Sequence, residues 1–216
     1  MPGEKAFDLP DPPPGESYGS AIIAPAAPEE RAALNGAAYV SAVLACVEAL
    51  AAIFTGSLAL MAIAVDSAED AAHYGLASLT SGRPRHWFIA GLALLGAFAL
   101  AAYCWIGWTA FTAFTGAAPP NPWIMMGVAA LSLIGNLWCV WKLRGLRYVT
   151  GELSFAWAET RWDFLADLGV IVAAMAVSDW AQRWPDTTAG LIIAAVNLVG
   201  IVRLGASAFR AARDAM

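Results

Sequence analysis

Apolar residues dominate six stretches of this chain, at roughly 33–55, 57–80, 87–111, 122–143, 153–178 and 187–209, and short polar or turn-forming clusters separate them. Each stretch is long enough for a helix to cross a hydrocarbon layer of about 30 Å. The alternation of a membrane barrel is missing, and open strands would strand their backbone groups in lipid, so helices are the form expected. The breaks carry turn and helix-start chemistry: Thr55-Gly56-Ser57, Ser81-Gly82-Arg83-Pro84, Pro119-Pro120-Asn121-Pro122, Arg144-Gly145 and Trp184-Pro185-Asp186. Connections this short set neighbouring helices antiparallel. The pattern predicts an all-α integral membrane bundle of six transmembrane helices.

Composition strengthens that reading. Of 216 residues, 60% are hydrophobic and 13% charged, against about 25% charged in an ordinary soluble domain. The basic residues set the orientation: Lys5, Arg31, Arg83, Arg85, Lys142, Arg144, Arg147, Arg203, Arg210 and Arg213 all fall on one side, and Arg183 on the other. The positive-inside rule then places both termini in the cytoplasm. Trp87, Trp108, Trp123, Trp180 and Trp184 stand near span ends, where interfacial aromatics belong.

The expected organisation is a disordered, Pro-rich cytoplasmic tail over 1–30, a transmembrane domain over 31–212 and a short cytoplasmic end over 213–216. Part of the net charge of −5 lies in the tail, at Glu4, Asp8, Asp11, Glu16, Glu29 and Glu30, and no basic region leads into an apolar one as in a signal peptide. Cys46, Cys104 and Cys139 fall in three different apolar segments without a CxxC, which signals neither a disulfide framework nor a thiolate metal site. There is no nucleic-acid signature, no phosphate-cradling loop, no HExxH and no nucleophile–base pair, so the chain is not read as an enzyme or a nucleic-acid partner.

The informative residues are acids inside the apolar segments, because an ionised carboxylate in a bilayer core is expensive and marks function by default. The second segment contains Asp66, Glu69, Asp70 and His73, and the fifth contains Glu159, Arg161, Asp163 and Asp167. Residues four apart share a helix face about 6 Å apart along the axis, so Asp66 with Asp70 and Asp163 with Asp167 form two acidic faces. With the two helices antiparallel, Asp66 comes level with Asp167 and Asp70 with Asp163. A divalent ion between the faces would relieve the repulsion among four clustered acids. Purely structural salt bridging is the competing reading, and Arg161 is the sole basic residue deep in any span.

The same stripes continue one turn toward the cytoplasm with His73 and Glu159, which predicts a vestibule there; alternatively these two pair with each other or with Arg161. Glu48, Asn136 and Asn197 fall at depths similar to the four Asp residues. They are expected either to orient the carboxylates from behind or, for the asparagines, to join helices by hydrogen bonds. Glu69 points to a different face from Asp66 and Asp70, or between faces, and is given no role.

These residues together resemble the cation diffusion facilitator (cation efflux) family. Gly56-Ser57-Leu58-Ala59-Leu60-Met61-Ala62, followed by Asp66 and Asp70, is similar to that family's second-span signature, in which GSLALLAD leads into a (His/Asp)xxxAsp metal motif. Asp163 and Asp167 take the places of the fifth-span motif, Ser154 stands at a Ser-rich start to that span, and Trp184-Pro185-Asp186 resembles the entry to the sixth. Glu48 and Asn136 also fall where members carry a first-span acid and a fourth-span Asn.

The resemblance covers roughly 33–212 and implies an exporter that exchanges cytoplasmic metal for protons by alternating access. It is to a short form, with Ala71-Ala72-His73-Tyr74-Gly75 after the second-span motif and neither the soluble C-terminal domain that helps hold a dimer nor a His-rich loop between spans four and five. A homodimer is therefore one option among its partners, beside the lipid bilayer, a divalent metal ion and protons. The expected location is the bacterial inner (plasma) membrane, multi-pass.

In the metal-free state, repulsion within the cluster is expected to keep one or more acids protonated, so that metal entry displaces protons. No resident cofactor is expected beyond the transported ion. An all-carboxylate shell ranks Mn²⁺ or Fe²⁺ slightly above Zn²⁺ or Co²⁺. Two other functions compete: a non-transporting membrane metal sensor or accessory subunit, which would bind metal without flux, and a passive cation channel, whose flux would persist without a proton gradient.

Overall fold

The computed structural model describes residues 23, 25–113, 118–148 and 163–213. Among them are six α-helices and no strand: α1 (Pro28–Thr55), α2 (Leu58–Thr80), α3 (Arg85–Ala113), α4 (Pro122–Leu143), α5 (Asp163–Trp180) and α6 (Trp184–Arg213), with a 3₁₀ turn at Arg144–Tyr148 after α4. α1, α3, α4 and α6 are long and apolar enough to cross a membrane. α2 has the length, at 23 residues or about 35 Å, but carries three acids, Asp66, Glu69 and Asp70. α5 carries Asp163, Asp167 and Asp179. The polar load of these two helices is thus what sets them apart from the other four.

Local chemistry explains the helix ends. α1 begins at Pro28, ahead of the apolar stretch, because Pro suits the first helical position and the Glu30 side chain accepts a hydrogen bond from the Ala27 N–H at 2.7 Å. It stops at Gly56, whose φ of 69° is left-handed and whose N–H returns to the Ala52 carbonyl at 2.8 Å. Ser57 caps α2 by accepting from the Leu60 N–H, and Asn121 caps α4 by accepting from Trp123 and Ile124 N–H groups.

Residues 1–22 and 24 of the expected tail lie outside the described residues. Ile23, expected within that exposed tail, is instead buried. It exchanges hydrogen bonds with the α2–α3 turn, donating to the Arg83 carbonyl at 3.0 Å and accepting from the Gly82 N–H at 3.1 Å, while the Ala26 N–H donates to Ser81 Oγ at 2.6 Å. An apolar side chain next to an open turn gains more by covering it than by staying in water.

α2 is central, packing on α1, α3 and α6 and meeting α5 and α4 over short stretches; α4 packs on α1 and α5, and α3 and α5 both pack on α6. The buried apolar side chains form two clusters. One gathers Ile23, Leu34, Tyr74, Phe88, Leu143 and Leu146, and the other Leu60, Ile63, Tyr103, Met125, Val170 and Ile193. Along α2 and α4 the buried polar residues fall between them: Ser67, Glu69, Asp70 and His73 on α2, Ser132 and Asn136 on α4. On α2 the acids therefore lie between two apolar clusters. Large apolar and aromatic side chains face outward, including Trp87, Trp108, Trp123, Trp180 and Trp184 at helix ends, as a lipid-facing surface requires.

Candidate metal-transport site

The position of α2 is set from the opposite end of α6. Asp186, fully buried in the first turn of α6, accepts from the Ser57 hydroxyl, the Leu58 N–H at 3.0 Å and the Ala59 N–H at 3.1 Å. A carboxylate supplied by another helix thus satisfies the orphan N–H groups at the start of α2. One turn further, Gly190 lies against α2 so closely that a Cβ there would stand 2.8 Å from the Leu58 backbone. Arg183, just before α6, donates to the carbonyls of Gly56 and Ala118. Together these contacts tie the α1–α2, α3–α4 and α5–α6 connections at one end of the bundle.

With α2 so fixed, Asp66, Asp70 and Asp163 line one cavity of about 630 Å³. It runs between α2, α3, α5 and α6, from Trp180 and Trp184 to His73, which also lines it. Asp163 is the first residue of α5, and Glu159, Arg161 and Ser154 lie outside the described residues. Asp167, one turn along α5, is buried at 1% exposure and turned instead to α4, where Asn136 Nδ2 donates to its Oδ2 at 2.9 Å. Three of the four expected aspartates therefore share a cavity, and the fourth sits in the adjoining α4–α5 contact. Among the described residues, no three His, Cys, Asp or Glu side chains stand together as a ready-made ion site.

Neutral donors hold the carboxylates from behind. Asn197 of α6 donates to Asp66 Oδ1 at 2.8 Å, and the Tyr74 hydroxyl donates to Asp70 Oδ2 at 2.9 Å. Asn197 and Asn136 thus each grip one aspartate, one from each acidic pair. Such bonds orient a carboxylate without cancelling its charge. Glu48 of α1, fully buried, accepts from the Ser132 hydroxyl of α4 and lies within electrostatic reach of Asp167 and Asp70; its Oε2 has no hydrogen-bond partner.

Glu69, which the sequence set on a different face or between faces and gave no role, lines the same cavity as Asp66 and Asp70. Three residues from Asp66 on a helix is a neighbouring position, so both can reach one cavity. Tyr103, Ser132 and Tyr74 were not singled out from the sequence, since mildly polar side chains in apolar runs carry little signal; the four-residue spacing of Tyr74 from Asp70 was the one available cue. Cys139 is buried in apolar packing, and Cys46 and Cys104 are exposed free thiols.

The sequence profile of the cation efflux transmembrane domain matches residues 87–211. The match takes in α3 to α6, with Asn136, Asp163, Asp167 and Asn197, and leaves the α2 acids outside it. No curated protein is similar enough to match the chain. A multi-pass bundle whose buried polar layer is built from carboxylates, matched over more than half its length, belongs to the cation efflux, or cation diffusion facilitator, family of metal-cation transporters.

Proposed function

We propose that this protein exports a divalent metal cation from the cytoplasm in exchange for protons, binding it between α2 and α5 through Asp66, Asp70, Asp163 and Asp167. The observation that carries the reading is the cavity that acids of both helices share, Asp66 and Asp70 from α2 and Asp163 from α5. Asn136 and Asn197 orient two of the four carboxylates. His73, and Glu159 beyond the described residues, serve as the approach from the cytoplasm, and Glu48 acts from behind Asp167.

Acids gathered around one cavity repel, so the empty site holds protons that the entering cation displaces. Charge balance then couples outward metal to inward protons. Alternating access needs the two acidic faces to part and rejoin. The short α2–α5 contact favours this, while α2 is bound along α6. The carboxylate-rich set favours Mn²⁺ or Fe²⁺ over Zn²⁺ or Co²⁺.

The test is flux into proteoliposomes with a panel of Mn²⁺, Fe²⁺, Zn²⁺ and Co²⁺, with and without an imposed pH gradient. Uptake should follow the gradient, and both Asp66→Ala and Asp167→Ala should abolish it while the bundle stays folded. Undiminished flux in either variant, or indifference to the gradient, would refute the proposal.

A further inference from the structure

Glu69 and Tyr103 have no part in that scheme, yet they adjoin it. Tyr103, on α3, is 3% exposed. Asn197 Nδ2 donates to Tyr103 Oη at 2.9 Å as well as to Asp66 Oδ1 at 2.8 Å. An amide nitrogen carries two hydrogens, so these two bonds use its full donor capacity. The phenol accepts one of them and keeps its single proton to give away. Tyr103 is also hydrogen-bonded to Glu69. A directed chain results: Asn197 donates to Asp66 and to Tyr103, and Tyr103 donates to Glu69. It starts and ends on carboxylates three residues apart on α2, passing through α6 and α3 in between.

The direction of these bonds matters. Each carboxylate at the ends of the chain receives a hydrogen and is thereby held in one orientation as an acceptor. Both also line the cavity with Asp70 and Asp163.

Resting on the proposed transport reading, we propose that Tyr103 and Asn197 are positioning residues that fix Asp66 and Glu69 as paired acceptors on the cavity wall, so that Glu69 works with Asp66 on the transported cation. Tyr103 has no contact with the cation in this scheme. It acts through the two carboxylates, and its loss should be felt in affinity before it is felt in the turnover of bound ion.

The experiment is calorimetric titration of the purified full chain with Mn²⁺ and, in a parallel arm, Zn²⁺. Tyr103→Phe keeps the ring and removes the hydroxyl; it should weaken binding about tenfold, the effect of one lost charge-assisted hydrogen bond. Glu69→Gln keeps the shape and removes the charge, and should weaken binding at least as much. Because both changes break one chain, the loss in the double variant should fall short of the two single losses multiplied. In proteoliposomes, Tyr103→Phe should raise KM and leave kcat unchanged, with a thermal midpoint near that of the wild type.

Wild-type affinity in Tyr103→Phe, wild-type affinity in Glu69→Gln, or losses that multiply in the double variant would each overturn the inference. Asp66→Ala separates the two levels. If it abolishes binding while Tyr103→Phe is silent, the positioning role alone fails. If it binds as the wild type does, or the wild type binds neither ion, the transport site itself fails and this inference with it.

Discussion

Replacing Asp186 with Ala tests whether the α2–α6 clasp sets the position of the acidic helix. The carboxylate accepts three hydrogen bonds, from the Ser57 hydroxyl and from the Leu58 and Ala59 N–H groups, in a spot closed to solvent. Ala removes the acceptors and leaves two backbone donors buried at the start of α2, each at a cost of about 1–3 kcal/mol. The Ser57 hydroxyl still caps the Leu60 N–H, so the start of α2 is weakened and not abolished. A loss of about 4 kcal/mol follows, and at about 2–4 °C per kcal/mol for a chain of this length the thermal midpoint should fall by about 8–16 °C. The buried Cys139 thiol provides the readout: in a Cys46→Ser/Cys104→Ser background, its reaction with a thiol dye on heating in detergent reports opening of the bundle. Asp186→Asn keeps one oxygen acceptor and should fall between wild type and Ala. A shift below about 3 °C for Asp186→Ala, equivalent to about 1 kcal/mol, would refute the idea that this carboxylate fastens α2.

Gly190→Ala should destabilise the same contact from the other side, by about 1–3 kcal/mol, because its Cβ would meet Leu58 backbone atoms at 2.8 Å that cannot swing away; the same thermal assay checks it, and a neutral result would mean that the helices are free to part. On the proposed transport reading, Asn136→Ala should weaken metal binding about tenfold or more through loss of its 2.9 Å bond to Asp167. Titration calorimetry measures this, and unchanged affinity would remove Asp167 from the binding set.

Much of this protein was legible along the chain. Six apolar stretches predicted six helices, and α4 runs over the expected 122–143. Lipid makes this possible: it forces every backbone group into an internal hydrogen bond, so length and apolarity become a reliable sign of a helix. The acids were legible for the same reason, since charge inside such a stretch is rare. The four-residue spacing placed Asp66 with Asp70 on one face, and both line the cavity. Asn136 and Asn197, expected at depths similar to the aspartates, each bond one of them, Asp167 and Asp66.

Tertiary structure decided the rest. Periodicity fixes the angle of a side chain about its own helix, and not which helix lies opposite. Asp167 thus turns to α4 while its partner Asp163 opens on the cavity, and Glu69, three residues from Asp66, lines the same space. Asp186 caps a helix 128 residues away from it in sequence, and Tyr103 joins two acids of α2 from α3. No local pattern encodes such links. They arise when helices cross, and the buried polar groups each crossing encloses must then find partners among whatever that geometry brings near.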